Sequence, residues 1–340
     1  MSNDDKMNGC SGSCQEGGAI TAGANGAASL AKKLRDITKE DAVKSYEDLK
    51  KIAVGCKKAA PLGRAGIAAL DYFFLQHRLK AKTKKHISFA NAVKQRKTLR
   101  YIDGKIRQIN GDALFKDSKK LLKRRYSIFQ LYYGSINQFR PTEALKVYCR
   151  FKPRVGVLDF SAGWGGRCLA AMAAGIPYTG IDTNTNMRTA YNKIVKTYDS
   201  SAAVNMIWGP SEKVDFSKLK YDLVFTSPPY YILEEYEKMP TYKSKEDFYD
   251  RFLRKVVQGC WKWLPTDGVL ALNMPADMYD AVKGCLPVRA SQIKLAVSNR
   301  HPTNAAAGRQ LGEEKERSEL IYVWRKKTPR GTDGWKCESV

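Results

Sequence analysis

The second half of the chain alternates short apolar runs with helical stretches, and this alternation constrains the fold more than any other feature. From Val155 onward, runs rich in β-branched residues are separated by turn residues and helical segments. That rhythm is typical of a mostly parallel sheet covered by helices. The candidate strands are Val155–Phe160, Tyr178–Asp182, Val204–Ile207, Leu223–Thr226, Gly268–Asn273, Gln292–Ser298 and Leu320–Arg325. Seven strands suffice for a complete doubly wound sheet, so the sequence predicts an α/β fold.

The part of the chain before this sheet is helical and strongly basic. Between Leu30 and Tyr148, apolar residues recur at helical intervals. Residues 31–150 hold 30 Lys and Arg against 10 Asp and Glu, which places +20 of the chain's net charge of +25 in this region. A surplus of this size favours contact with a polyanion, and the aromatic residues that interleave with the cations suit stackable bases.

Three basic clusters carry most of this charge: Arg78 to Lys85, Lys94 to Arg107 and Lys119 to Arg125. Four aromatic residues within the next eight positions follow the third cluster. We therefore select its cations as candidate nucleic-acid ligands: Lys119, Lys120, Lys123, Arg124 and Arg125. For any single cluster, the alternative is a solvated helix surface whose aromatic rings turn into the core.

Composition and charge patterning set the domain boundaries. At 340 residues and 43% hydrophobic, the chain can bury one sizeable core with room for a small second domain, which excludes collagen-like and wholly disordered proteins. We divide it into a flexible Gly/Ala/Ser-rich tail (1–29), a basic helical nucleic-acid-binding region (30–135), the sheet domain (136–327) and a C-terminal tail (328–340).

Other sequence features bear on location and metal binding. No apolar run approaches the ~18 residues of a membrane helix, and the acidic opening of the chain lacks the positive region of a secretory signal. We therefore expect an intracellular protein, with cytoplasm, nucleoid and nucleus left open, and no membrane partner. The cysteine and histidine spacings match no zinc motif, so we expect no metal.

A glycine-rich turn follows the first candidate strand. The segment Asp159–Arg167 contains three glycines, which let the backbone approach a ligand and present helix N-terminal N–H groups. Asp159 suits a cationic ligand group better than a pyrophosphate. The next strand ends at Asp182, about 20 residues after the loop, where an acceptor pair would hold a ribose diol. A helix cap or turn is the alternative role for Asp182.

The fourth candidate strand ends in a Ser-Pro-Pro-Tyr motif (Ser227–Tyr230). The two prolines fix φ and supply no N–H, so the neighbouring carbonyls are rigidly presented and uncommitted to the sheet. An exocyclic amine is a pair of donors that needs such acceptors, and Tyr230 offers a face on which a flipped base can stack. Taken alone, the motif could also be an ordinary turn closing a strand.

Together, the segment Asp159–Arg167, Asp182 and the Ser-Pro-Pro-Tyr motif resemble the S-adenosylmethionine loop, ribose acid and catalytic motif of the amino-methylating DNA methyltransferases. These enzymes act on adenine N6 or cytosine N4. The resemblance covers about residues 136–327. It implies a Rossmann-like seven-stranded methyltransferase sheet with a basic, mainly helical N-terminal region, and S-adenosylmethionine as cofactor.

The family's site residues carry over position by position. The resemblance implies catalytic roles for Ser227, Pro228, Pro229 and Tyr230. It implies cofactor contacts for Phe139, Arg140, Asp159, Ser161, Gly163, Gly165, Asp182 and Ser211. Of these, Phe139 and Arg140 lie before the first strand, and Ser211 falls where the family reads the adenine ring. Target recognition would fall to the basic region, with a smaller contribution from the polar loop 299–310.

The resemblance implies a DNA methyltransferase that modifies cytosine N4 or adenine N6 of a flipped base, with DNA as partner. An RNA base amino-methyltransferase and a catalytically silent nucleic-acid-binding subunit remain alternatives. A nicotinamide-dependent oxidoreductase is excluded, because the glycine spacing is not GxGxxG and hydride transfer has no use for Ser-Pro-Pro-Tyr. The oligomeric state and the recognition sequence stay open.

Overall fold

The computed structural model of the protein describes residues 24–55, 63–111, 114–231, 234–235, 238–295 and 319–327. Its main sheet contains β1 (Val157–Asp159), β2 (Tyr178–Asp182), β3 (Val204–Trp208), β4 (Leu223–Thr226), β5 (Val269–Asn273), β6 (Ser291–Leu295) and β7 (Glu319–Arg325). The strands lie in the order β3-β2-β1-β4-β5-β7-β6. All neighbours are parallel except β7, which is antiparallel to β5 and β6. The predicted Rossmann-like seven-stranded α/β sheet is confirmed.

The central strands are apolar on both faces because helices cover both sides of a parallel sheet. Every residue of β1, β4 and β5 is buried. In the register of the sheet, Leu158 lies opposite Thr179 on β2 and Val224 on β4. The carboxyl ends of these strands therefore lie at one edge. The order of the strands reverses between β1 and β4, which is where open α/β sheets bind ligands.

The helices are α1 (Ala24–Leu34), α2 (Lys39–Gly55), α3 (Ile67–Arg78), α4 (Phe89–Ala92), α5 (Arg96–Asn110), α6 (Ser118–Tyr133), α7 (Pro141–Phe151), α8 (Gly166–Ala173), α9 (Arg188–Thr197), α10 (Lys245–Phe248), α11 (Lys255–Trp263) and α12 (Ala276–Val282). A π-helical segment, Tyr249–Arg254, joins α10 to α11. Short 3₁₀ turns follow β2 and β3 at Thr185–Met187, Ser211–Lys213 and Phe216–Lys218. None of the helices in the described part of the chain is long and apolar enough to cross a membrane.

Two helices of the predicted N-terminal region belong to the core of the sheet. Buried side chains of α2 and α3 share one hydrophobic cluster with α7, α8 and α9. Tyr46 stacks on Tyr198 with ring centroids 4.7 Å apart, and Phe74 meets Tyr191 edge to face at 5.1 Å. Helices α10 to α12 cover the opposite face. The predicted boundary at 135/136 is therefore not a boundary between two cores, because the apolar faces of α2 and α3 are buried against α8 and α9.

The basic helices form a small cluster of their own. Apolar residues of α1, α4, α5 and α6 pack together with the end of α3. Asp71 on α3 is fully buried there and forms ion pairs with Arg35 and Arg78. Helix α1 begins at Ala24, inside the predicted tail, because Ala27, Leu30 and Leu34 supply a buried helical stripe. The rest of that tail, the 328–340 tail and the polar loop 299–310 lie outside the described residues.

We predict that Phe74→Ala destabilises the sheet domain by about 3–5 kcal/mol, because it removes a fully buried ring between α3 and α9. Urea unfolding measures this free energy. The matched control is Tyr72→Ala on the same helix, where the ring is 41% exposed and a smaller loss is expected. Equal losses for the two variants would contradict the joint core.

Candidate active site

A pocket of about 260 Å³ lies at the carboxyl edge of the sheet, where the strand order reverses. Nine of the predicted site residues line it: Phe139, Ser161, Gly163, Asp182, Ser211, Ser227, Pro228, Pro229 and Tyr230. The glycine loop, the acid at the end of β2 and the Ser-Pro-Pro-Tyr motif thus meet in one pocket. Three other predicted residues, Arg140, Asp159 and Gly165, are not among the residues that line it.

Asp159, for which the sequence predicts a direct cofactor contact, is fully buried behind the pocket wall. Its Oδ2 accepts hydrogen bonds from Arg167 Nε at 2.7 Å and from the Tyr178 hydroxyl at 2.6 Å. Its Oδ1 accepts one from the Thr226 hydroxyl at 2.7 Å. Both oxygens are occupied within the protein. The sequence shows an acid at the end of a strand, but not that Arg167 turns back onto it.

Arg167 places a buried guanidinium in the pocket wall, and Asp159 neutralises it. Burial acts to lower the pKa of Arg167, but the Asp159 carboxylate more than offsets this and raises that pKa above its ordinary value. Burial also raises the pKa of Tyr178 well above its ordinary value, so its hydroxyl keeps the proton it donates. Among the residues that the structure describes, the charged ones that line the pocket are Arg167, Asp182 and Glu212. With Asp159 included, carboxylates outnumber the guanidinium, which favours a cationic ligand.

The other two predicted residues that do not line the pocket have structural roles. Gly165 lies against α3, and a Cβ at this position would be 2.8 Å from the Phe74 ring. Arg140 caps α7, and its carbonyl accepts the hydrogen bond of the Ala144 N–H at 3.1 Å. Its neighbour Phe139 does reach the pocket, with its ring 5.2 Å from the Arg167 guanidinium. In the segment before the first strand, Phe139 therefore lines the pocket while the next residue, Arg140, does not.

Asp182 lies in the pocket with acceptor capacity to spare. Its Oδ2 accepts the Gly163 N–H and its Oδ1 accepts the Asn184 N–H, both at 2.8 Å. Each carboxylate oxygen can accept a further hydrogen bond. Burial raises the pKa of Asp182 to about 6, against the effect of these two backbone donors. A ligand that brings hydroxyl donors to this carboxylate would stabilise its ionised form.

Two of the pocket residues that were not predicted from the sequence bear on ligand binding. Gln138 lines the pocket, and its buried Oε1 has no hydrogen-bond partner within the described residues. Asn273 ends β5, where the pairing of Thr226 with Leu272 sets it level with Ser227. Two sequence signals could have found them. Gln138 precedes Phe139, and Asn273 is a polar residue at the end of an apolar strand that pairs with β4.

Asn273 fixes the direction of the Ser227 hydroxyl. Its side-chain Nδ2 donates to the carbonyl oxygen of Leu320 at 3.2 Å, so its Oδ1 faces Ser227. The Ser227 hydroxyl donates to this Oδ1 at 3.3 Å. Because a hydroxyl has one donor and two lone pairs, the Ser227 oxygen remains an acceptor for a ligand. This is the role predicted for Ser227 toward an amine.

The comparisons with known proteins point to methyltransferases. A family model described as RNA cap guanine-N2 methyltransferase matches residues 154–263. TrmN from Thermus thermophilus is 13% identical, with a TM-score of 0.38, over 79% of this chain and 88% of that chain. The N-methyltransferase NodS from Bradyrhizobium japonicum WM9 is 11% identical, with a TM-score of 0.37, over 55% of this chain and 94% of that chain. No curated protein matches the chain.

The match of residues 154–263 to a methyltransferase family, together with the order of the strands in the sheet, implies S-adenosylmethionine as the methyl donor. Three features of the pocket fit this cofactor. The unpartnered Gln138 Oε1 is an acceptor suited to the ammonium group of the methionine part. The Asp182 carboxylate has lone pairs for the ribose hydroxyls. The excess of carboxylates around Arg167 suits a sulfonium cation.

The predicted nucleic-acid ligands lie on α6, and their side chains differ in what they contact. Lys119 pairs with Asp36 at 3.2 Å. Arg125 binds both carboxylate oxygens of Asp103, at 2.7 and 2.6 Å. Lys120 and Lys123 are exposed, whereas Arg124 is partly buried. Binding of nucleic acid by this cluster stays a prediction. Within the described part of the chain, no group of His, Cys, Asp or Glu side chains is placed to hold a metal ion.

We predict that affinity for S-adenosylhomocysteine falls as the pH drops below 6. The pKa of Asp182 is raised to about 6, so protonation below this pH removes the ionised acceptor of the ribose hydroxyls. The loss reaches up to about tenfold per pH unit. Calorimetry between pH 5 and pH 8 measures it. In Asp182→Asn the affinity should be lower and independent of pH, and a flat wild-type profile would contradict the role of Asp182.

We also predict that Asp159→Asn lowers the free energy of unfolding by about 3–5 kcal/mol, because it leaves Arg167 buried without its counter-charge. Urea unfolding of the variant measures this loss. Asp215→Asn is the matched control, since Asp215 is exposed, pairs with Lys218 at 3.6 Å and accepts hydrogen bonds from the N–H and the hydroxyl of Ser217. A loss below about 1 kcal/mol for Asp159→Asn, the range of an exposed pair, would show that Asp159 is not required.

Proposed function

We propose that the protein methylates an exocyclic amino group of a nucleic-acid base, with S-adenosylmethionine as the methyl donor. The observation that carries this proposal is the position of the Ser-Pro-Pro-Tyr motif. It lines the same pocket as the glycine loop and Asp182, and its serine hydroxyl is held as an acceptor by Asn273. A cofactor cradle and an acceptor site for an amine are what such a reaction requires of the protein.

The residues of the motif act on the target base by position. The Ser227 hydroxyl and the Pro228 carbonyl accept hydrogen bonds from the two amine protons, so the nitrogen lone pair stays free of protein contacts. Tyr230 stacks on the base and holds its plane. S-adenosylmethionine, when bound, supplies a methyl group activated by the sulfonium charge. Catalysis by this chain is then mainly orientation of the amine in a pocket that excludes water.

We place RNA first as the substrate and guanine N2 first as the target atom. The support is the match of residues 154–263 to a family described as RNA cap guanine-N2 methyltransferase. Guanine N2 is an exocyclic amine with two protons, so the acceptors of the motif serve it as they would serve adenine N6 or cytosine N4. DNA methylation at those two atoms is the second candidate, because the Ser-Pro-Pro-Tyr motif resembles that of the amino-methylating DNA methyltransferases.

The test is nucleoside mass spectrometry after incubation with deuterated S-adenosylmethionine. The substrates are capped RNA, uncapped RNA and unmethylated DNA, each in a separate reaction. Labelled N2-methylguanosine is the expected product. Labelled N6-methyladenine or N4-methylcytosine from DNA would instead support the second candidate. No label in any pool, together with cofactor binding shown by calorimetry, would overturn the proposal in favour of a silent binding subunit.

We predict that Tyr230→Ala removes turnover but leaves affinity for S-adenosylhomocysteine within about twofold, because the ring acts on the base and not on the cofactor. Full activity in this variant would overturn the stacking role. The matched control is Tyr249→Ala, which removes a tyrosine that does not line the pocket. Its thermal stability should fall while its turnover per folded molecule is kept.

A second pair of variants tests the orientation of Ser227 by Asn273. Asn273→Ala should lower kcat about tenfold, the size of one lost oriented hydrogen bond. Because Asn273 acts through Ser227, adding Asn273→Ala to Ser227→Ala should lower kcat no further. Independent, additive losses in the double variant would contradict the coupling.

A further inference from the structure

Helix α5 carries a basic face that neither packing nor ion pairs within the protein explain. Arg96, Lys97, Arg100 and Arg107 are exposed, and none of the four forms an ion pair with the residues that the structure describes. With 3.6 residues per helical turn, the four side chains lie within about 100° of one another around the helix axis, and so on one side of the helix. The opposite side buries Thr98, Ile102 and Ile106. The α5 basic face, as we call these four cations with Gly104, therefore points to solvent.

Gly104 lies in the middle of this face. It is exposed, it occupies the ninth position of a fifteen-residue helix, and a Cβ built on it would have nothing within 4 Å. Packing therefore does not require a glycine here. A glycine in a helix interior is destabilising relative to alanine, and like charges three and four residues apart destabilise a helix as well. Two costly features coincide on one face, and both are explained if a polyanion approaches the helix backbone closely.

The α5 basic face lies next to the chain segment that enters the pocket. Tyr101, which is 45% exposed, contacts Tyr132 and Tyr133 at the end of α6, with ring centroids 5.9 and 6.1 Å apart. Four residues after Tyr133, the chain lines the pocket at Asn137, Gln138 and Phe139. An exposed ring beside a row of cations is the combination that binds single strands, since it accepts a stacked base next to held phosphates.

We infer that the α5 basic face binds the phosphate backbone of single-stranded RNA beside the target nucleotide, and that Gly104 leaves room for that backbone. The inference rests on the proposed function, which supplies the RNA substrate. It places the main nucleic-acid contact on α5, whereas the sequence analysis selected α6. The α6 cluster has two of its five cations in ion pairs with Asp36 and Asp103, and the α5 basic face has its four free of such pairs within the described chain.

The first test compares two triple variants that lose equal charge. Lys97→Gln/Arg100→Gln/Arg107→Gln alters the α5 basic face, and Lys193→Gln/Lys196→Gln/Lys220→Gln alters exposed lysines of the sheet domain. Binding of a fluorescein-labelled 12-nucleotide RNA is followed by anisotropy at several salt concentrations. The α5 triple should raise Kd at least about tenfold and lower the slope of log affinity against log salt by about 2, while the control stays within about twofold. Equal effects in the two variants would overturn the inference.

The second test probes the open space at Gly104 without changing charge. Gly104→Gln should weaken RNA binding about fivefold, because its side chain fills the space that the backbone needs, while the melting temperature stays equal or rises. Gly284→Gln is the matched control, since Gly284 is exposed, also has open space around it and lies after α12. RNA affinity unchanged by Gly104→Gln would overturn the close approach.

Two further measurements separate this inference from the proposed function. The same RNA sequence as single-stranded DNA and as a DNA duplex is titrated against the wild type and the α5 triple. If the wild type binds one of the DNAs more tightly than the RNA, and the α5 triple variant loses this binding, the assignment to RNA is wrong. If the α5 triple variant still binds RNA normally and forms methylated nucleoside, the RNA-binding role of the α5 basic face is wrong and the proposed function stands. Binding that depends on α5 without any methylated nucleoside would overturn the proposed function alone.

Discussion

The buried carboxylate of Asp159 is the interaction on which the rest of the site depends. It ends β1 and binds Arg167 at the start of α8, Tyr178 at the start of β2 and Thr226 at the end of β4. One side chain thus ties the glycine loop to the strand that ends in the Ser-Pro-Pro-Tyr motif. A buried charge needs a partner and full hydrogen bonding. The four elements that meet at Asp159, which are β1, α8, β2 and β4, are therefore held in a single arrangement.

This arrangement explains how the pocket can take a cation although an arginine lines its wall. Asp159 compensates Arg167 from behind, and Asp182 and Glu212 then leave the pocket with an excess of negative charge. The same geometry brings Ser227 level with Asn273, whose amide is held by the carbonyl of Leu320 on β7. The orientation of the serine hydroxyl in the Ser-Pro-Pro-Tyr motif therefore depends on a strand almost 100 residues further along the chain.

In the N-terminal region, apolar spacing and charge predicted the helices but not how they pack or which cations are paired. Its helices were predicted from apolar spacing, and the structure has helices there from α1 to α6. The net charge did not show that α2 and α3 pack on the sheet while α1 and α4 to α6 form a separate cluster. Nor could it separate cations held in ion pairs, such as Arg125, from exposed ones such as Arg100. Both distinctions depend on which helix faces meet.

The sequence by itself determined the seven strands, the place of the pocket and nine of its lining residues. These follow from local signals: β-branched runs, a glycine turn, and acids or prolines where strands end. Only the tertiary structure decided that Asp159, Gly165 and Arg140 support the site from outside the pocket, and that Gln138 and Asn273 belong to it. The physical reason is that a strand-end residue can point into a pocket or beneath it. The partners that choose between these directions come from distant parts of the chain.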